Sequence, residues 1–373
     1  MPEAIFKDLL VLELASVLAG PSVGQFFAEL GAKVIKVENA ATHGDVTRSW
    51  KLASEDPDTS ISAYFCAVNW GKKSLPLDLR QEEDLNQLYA LLPQADIVIA
   101  SYKPGDAEKL KVDYQTLKSI NSRLIYGHIT GYGANNDRAG YDAVIQAESG
   151  FMYLNGEKGG ISTKMPVALM DVLAAHQLKE GILVAMLQRE RTGQGQLVQV
   201  SLLQSAVSAL VNQATNYLVA GHNPDRMGSE HPNIVPYGSV LTTADNLQLV
   251  LAIGDDRQFK RLCAILGKPD FAEDARYSTN NSRVRNRKEV NSKLAQLISN
   301  HKRDNLLEAM HRQHVPAGAV NTIAEVFMLP QAKQMLLEHD QDKPGLRQTA
   351  FALNGNEPLP LTPPPAYPGY RTE

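Results

Sequence analysis

The sequence predicts an α/β fold built on a largely parallel sheet, and three observations carry that expectation. Short apolar runs at Leu9–Leu14, Gly31–Glu38, Ala95–Ala100 and Leu124–Thr130 have the length of buried strands. Segments of helical length separate them, and this alternation of strand and helix is what parallel pairing requires. Each run also ends in a loop of Gly, Ser, Pro or Lys, and open parallel sheets bind ligands at the C-terminal ends of their strands.

The opening shows the pattern best. Leu9–Leu14 is a strand, Ala15–Pro21 a small-residue turn into a helix over Ser22–Leu30, and Gly31–Glu38 a second strand, which makes a βαβ unit. The turn is not a GxGxxG fingerprint, which argues against the usual dinucleotide enzymes, yet its small residues allow a ligand to approach the backbone closely. Gly44–Trp50 reads as a loop and Asn69–Asp78 as a basic turn running into a strand. Helix Glu82–Leu92 and strand Ala95–Ala100 follow, then Ser101–Gly105 and a basic helix around Lys109. In these loops Tyr102 suits stacking on a ligand ring, and the lysines suit phosphates, although Lys72 and Lys73 taken alone read as a solvated turn.

Further on, Leu124–Thr130 is a strand, Gly131–Gly133 a turn and Gly140–Gly150 the start of a helix. The stretch Met165–Arg191 begins like an apolar strand, after which Val172, Leu173, Ala175, Leu178, Ile182, Leu183, Met186 and Leu187 recur at helical spacing. Asp171 then stands where strand becomes helix. It is open to two compatible readings: an N-cap accepting a backbone amide, or a desolvated and rigid nucleophile. Residues 191–196 turn into a strand-like 197–203 and a helix through about Val219. The loop 221–232 marks a boundary. A smaller α+β domain is expected beyond it, with strands Ser239–Thr243 and Leu247–Ile253 and helices Asp256–Leu266 and Asn286–Lys302, then a turn and strand at 315–321. The expected division is 1–219 with the proline-rich tail 340–373 returning to it, 220–315 for the small domain, and 316–339 as linker.

Bulk properties narrow the function. A chain of 373 residues with 43% hydrophobic and 21% charged residues has material for about two domains. The net charge of -4 gives no global reason to expect nucleic acid or an anionic membrane, so an anionic ligand would need a local basic cluster. Cys66 and Cys263 lack the spacing of a zinc site, and no apolar run approaches a spanning length. The expectation is a cytoplasmic protein without metal or permanently bound cofactor.

Taken together, Ala19-Gly-Pro21, Gly31-Ala-Lys-Val-Ile-Lys-Val-Glu38, Gly44-Asp-Val-Thr-Arg48, Asn69-Trp-Gly-Lys-Lys-Ser74, Lys103-Pro-Gly105, Gly140-Tyr-Asp142, Arg191-Thr-Gly193, His231-Pro232, Pro236-Tyr-Gly238 and Val315-Pro316 form an ordered set covering nearly the whole chain. On these motifs the sequence resembles the class III CoA-transferase family, the family of formyl-CoA and carnitine CoA-transferases.

The resemblance implies a Rossmann-like parallel-sheet large domain, a smaller α+β domain and an interlocked homodimer with the site between subunits. It places the catalytic aspartate at Asp171, supported by Tyr141, Asp142 and Leu18. The implied substrates are an acyl-CoA and a free carboxylic acid, with coenzyme A passing through aspartyl anhydride and aspartyl-CoA thioester intermediates. Val17, Asn39, Lys72, Lys73, Ser101, Tyr102, Lys103, Lys109 and Leu110 are the implied CoA contacts, the lysines toward phosphate, Ser101 and Tyr102 toward adenine or ribose. Oxyanion donors are expected from Ala15–Gly20 or Arg226–Glu230. Asn39 stands where an arginine is common, and Ala100-Ser-Tyr-Lys-Pro-Gly105 departs from the family's usual loop. Competing readings are a 2-methylacyl-CoA racemase of the same fold, disfavoured because Tyr141 is a poor proton shuttle near neutral pH, and a silent CoA-binding protein. His176, His231 and Glu148 are the next candidates for chemistry.

Overall fold

The computed structural model describes residues 4–339, 344–353 and 358–367. Two compact units emerge: the first comprises residues 4–151 and 164–222 with the described parts of 333–373, the second 152–163 and 223–332.

In the first unit, β1 (Leu10–Leu14), β2 (Lys33–Asn39), β3 (Lys72–Leu77), β4 (Ile97–Ala100), β5 (Ile125–Thr130) and β6 (Leu197–Ser201) form one sheet in the order β3-β2-β1-β4-β5-β6. Every pairing is parallel. The strand order reverses between β1 and β4, which opens a crevice at their C-terminal ends. Both strands are buried throughout, as expected where helices cover both faces of a sheet. Their side chains still alternate by face. Val11, Ile97 and Ile99 join a core with the Ala19–Glu29 and Leu169–Thr192 helices, while Leu10, Leu12, Leu14, Val98 and Ala100 join one with the Glu82–Leu91 helix.

The long Leu169–Thr192 helix differs from expectation at its start: residues 165–168 are coil, and no strand precedes Asp171. Pro166 lacks the N–H a ladder would use, and the Met170 amide is drawn to Asp142 Oδ1 at 2.9 Å instead of to a neighbouring strand. The helix ends at Gly193, whose φ of 70° suits a glycine closing a helix.

The second unit has its own core, centred on Leu249, Leu251, Phe259, Leu262, Leu294 and Met310. Its sheet is an antiparallel meander of β7 (Tyr237–Thr242), β8 (Gln248–Ala252) and β9 (Ala317–Ala319). Because β9 completes that sheet, residues 316–332 are part of this unit, where the sequence suggested a linker. Among the described residues no helix is long and apolar enough to cross a membrane.

Candidate active site

Asp171 is the third residue of its helix and lines a cavity of about 230 Å³ at the strand C-termini. Ser16, Val17, Ala19 and Gly20 after β1, Ser101, Lys103 and Pro104 after β4, and Thr130 and Gly131 at the end of β5 form its walls, together with Gly140, Tyr141 and Asp142. Asp171 is not the cap of its own helix. The N-cap is Ala168, with no side-chain bond, and the carboxylate that accepts a first-turn amide belongs to Asp142. Asp142 is buried and also accepts from Gln146 Nε2 at 2.8 Å. Among the described residues no backbone amide donates to Asp171. Burial, and after it the charge of Asp142, push its carboxyl up to about 7.

The loop carrying Tyr141 is pinched at its base. A Cβ on Gly131 would lie 2.6 Å from Gly140 Cα, so only two glycines permit this approach. Tyr141 itself is 66% exposed at the cavity rim.

The turn after β1 forms the opposite wall. Val17 adopts φ 71°, a left-handed conformation that is a true outlier for a β-branched residue and costs about 1–3 kcal/mol. Its amide donates to Asp45 at 3.3 Å to Oδ2 and 3.4 Å to Oδ1. Asp45 Oδ2 in turn meets Lys36 Nζ at 2.8 Å, and Lys36 also meets Glu13 at 3.0 Å and the Ala15 carbonyl at 2.9 Å. Burial opposes the Lys36 charge most strongly, but Glu13 and Asp45 together outweigh it and hold its pKa above the ordinary lysine value. For Asp45, burial is likewise outweighed by Lys36 and Thr47, and the carboxyl stays below its usual range. Past Val17 the Ala19–Glu29 helix begins with no side-chain cap, which leaves the Ala19 and Gly20 amides uncapped on residues that line the same cavity as Asp171.

A second cavity of about 600 Å³ lies over β1, β2 and β3, lined by residues that include Ser16, Asn39, Tyr102, Leu110 and Arg80. Ser16 lines both cavities. Of the expected ligand residues, Val17, Ser101 and Lys103 fall on the Asp171 cavity, and Asn39, Tyr102 and Leu110 on the second. Ser101 and Tyr102, expected side by side at the adenine end, thus face different cavities because successive residues of an extended loop point to opposite sides. Burial pushes the Tyr102 phenol up to about 12.

Three lysines and Leu18 are not among the residues lining these two cavities. Lys72 is 3% exposed and turned inward: its Nζ meets Glu13 Oε2 at 2.7 Å, the Pro21 carbonyl at 2.8 Å and Asn69 Oδ1 at 2.9 Å. It is a structural cation beneath the turn. Lys73, next along β3, points the other way and is exposed, and Lys109 is exposed and pairs with Asp106 at 2.9 Å. Neither is among the residues lining the two cavities. Leu18 is the N-cap residue of the Ala19–Glu29 helix and does not line the Asp171 cavity either.

Glu148 pairs with Arg138, whose guanidinium lies 4.3 Å above the Tyr132 ring, and His176 is exposed on the outer face of its helix. His231 packs on Tyr237 in the second unit, and there Arg226 donates to the Tyr153 carbonyl at 2.9 Å and Ser162 Oγ at 3.0 Å. Sequence reasoning missed Lys36 and Asp45. Lys36 carried a signal, since a lysine flanked by Val34, Ile35 and Val37 in a buried strand needs a buried partner. It also missed Tyr64, whose phenol is pushed up by burial and then by the nearby carboxylates of Asp171, Asp142 and Asp45.

Residues 6–370 match the model of CoA-transferase family III. The chain belongs to that family. This class III CoA-transferase is 42% identical to the succinate–glutarate CoA-transferase of Agrobacterium fabrum, over 88% of the chain and 83% of the relative. It is 34% identical to a succinyl-CoA:mesaconate CoA-transferase of Haloarcula hispanica, over 98% of the chain and 92% of that protein. Among solved structures, a CaiB/BaiF family protein of Brucella suis superposes with a TM-score of 0.85 at 39% identity, over 98% of this CoA-transferase and 96% of the other.

Proposed function

We propose that the enzyme moves coenzyme A between dicarboxylic acids, with Asp171 as covalent carrier. The observation that carries this reading is a carboxylate lifted to about 7 in a cavity at the sheet's switch point, beside uncapped helix amides. The relatives named for succinate, glutarate and mesaconate supply the substrate class.

Asp171 attacks the thioester carbon and expels CoA thiolate, giving a mixed anhydride. The thiolate attacks the Asp171 carbonyl and releases the donor acid, leaving aspartyl-CoA thioester. The acceptor carboxylate attacks that thioester, thiolate departs again, and its return to the acyl carbonyl yields the new acyl-CoA and free Asp171. No water enters and no net proton moves. The amides at Ala19 and Gly20 are the donors for the oxyanions formed on the way. The second cavity takes the nucleotide end of CoA, with Tyr102 and Leu110 against the base. Tyr141 stands at the acyl entrance. Asp142 orients the helix that carries Asp171 and keeps the nucleophile basic.

The working form is a homodimer in the cytoplasm. Support for the dimer is the uncovered Val211–Ala220 helix, where Val211, Leu218 and Val219 are 65%, 75% and 84% exposed. Sedimentation at micromolar concentration reads this directly, and a monomer would remove it.

Peptide mass spectrometry after incubation with succinyl-CoA, with Asp171→Ala as control, tests the mechanism. A CoA adduct on the Asp171 peptide alone is the expected result. Turnover of succinyl-CoA and glutarate without any adduct would overturn the covalent route.

A further inference from the structure

We propose that Asp45 is a positioning residue for the reaction at Asp171, acting through the backbone of Val17. The inference rests on the transfer reading above.

A valine at φ 71° persists only where its surroundings hold it there. Asp45 is that hold. Its carboxylate accepts the Val17 amide and is itself fixed by Thr47 N at 3.0 Å, Thr47 Oγ1 at 2.8 Å and Lys36 Nζ at 2.8 Å. The same Lys36 grips the Ala15 carbonyl, so the network holds the turn two residues before Val17 as well as at it. Ser16 N adds a weaker tie to Ser101 Oγ at 3.4 Å. The backbone so fixed carries Ser16, Val17, Ala19 and Gly20, which line the same cavity as Asp171. Asp45 is among the residues lining the second cavity, but its side chain is 1% exposed and committed to its bonds with Lys36, Thr47 and the Val17 amide. Its reach into the reaction is therefore mechanical, and a shift of the turn would misplace the donors opposite the nucleophile.

A double-mutant cycle separates this role from simple structural support. Glycine adopts φ 71° without a hold, so the need for Asp45 should vanish when residue 17 has no side chain. Asp45→Asn is expected to lower kcat for succinyl-CoA and glutarate by about ten- to a hundred-fold, with KM changed less than about three-fold. Introduced on a Val17→Gly background, the same change should lower kcat less than about three-fold relative to Val17→Gly alone. Equal losses in both backgrounds would overturn the proposal. Thr47→Val, which loosens Asp45 without removing its charge, runs the same cycle if Asp45→Asn does not fold. Amide exchange in the peptide covering residues 15–20 reads the hold without turnover: Asp45→Asn should accelerate it about ten-fold, and unchanged exchange would refute the clamp. If the parent enzyme neither transfers CoA nor forms an adduct, the transfer reading fails, while the exchange measurement still decides whether Asp45 holds Val17.

Discussion

Replacing Asp171 by Asn should destroy transfer and at the same time stabilise the protein, in a way that depends on pH. The Asp171 carboxyl rises from the ordinary 3.8 to about 7 in the folded state. A raised acid pKa means that the native state binds the proton more tightly than the unfolded chain. Asp171 therefore costs nothing below the unfolded value, and its cost grows as pH climbs through the window to about 7 and is constant above it. Three units at 1.36 kcal/mol each set a ceiling of about 4 kcal/mol, and solvent reaching the cavity reduces this to about 2–3 kcal/mol. At about 2–4 °C per kcal/mol, the first unit's melting transition should rise by roughly 4–12 °C at pH 8. Any effect of the amide itself is independent of pH, so the decisive quantity is the trend. Thermal unfolding of both proteins from about pH 5 to about pH 8.5 should show the gain in Tm widening with pH and then levelling off. A gain that is flat across this range, or that shrinks toward high pH, would refute the assignment of a buried, destabilised carboxyl at this position.

The remaining expectations concern its neighbours. Because the reacting form of Asp171 is ionised, kcat/KM for the acyl-CoA donor should rise through an acid limb centred near 7. Asp142→Asn should move that limb to lower pH, since the Asp142 charge is the second cause of the shift; an unmoved limb would assign it to another group. Lys72→Met should leave CoA affinity within about two-fold while costing about 3–5 kcal/mol in chemical denaturation, because it strips a partner from buried Glu13. A large loss of CoA affinity in folded Lys72→Met would restore the phosphate role. Gly140→Ala places a Cβ 2.4 Å from Gly131 Cα and should open the loop carrying Tyr141, lowering turnover at least about ten-fold with a Tm loss of only a few degrees. Full activity in that variant would show that the pinch does not matter.

The sheet was legible because its strands are short apolar runs separated by helices. β1, β2, β4 and β5 fall within a residue or two of where the pattern puts them. The 165–170 run misled for the same reason, since periodicity cannot tell a buried strand from a buried helix start. What separates them is a tertiary bond, Asp142 to the Met170 amide, made by residues 28 apart. The placement of the lysines was hidden for another reason. Lys72 and Lys73 look alike as a pair, but β-strand alternation sends one into the core and the other to solvent, and only the buried Glu13 decides which. Val17 figures as a ligand contact through the family resemblance. Its strain was invisible, because nothing local marks a valine for positive φ.

Asp171, in the first turn of the long helix, and Asp142, which reaches that turn from the earlier Asp142–Glu148 helix, divide between them a task that one could not perform. A carboxylate capping its own helix is held by amide donors, which lowers its pKa and its basicity. Such a group would be a weak nucleophile toward a thioester. Left uncapped and partly buried, Asp171 has its carboxyl raised to about 7, which makes it more basic than an ordinary carboxylate while leaving it ionised in part near neutrality. The helix nevertheless needs its first amides satisfied, and Asp142 supplies that from outside at Met170. The same residue adds its charge to the raised pKa, so capping and activation come from one side chain. Moving Asp142's carboxylate one methylene farther, as Asp142→Glu, should keep the charge while straining the bond to Met170. If capping and activation are separable, that variant loses helix stability with its acid limb unmoved; a limb that moves with the stability would mean that the two are one function.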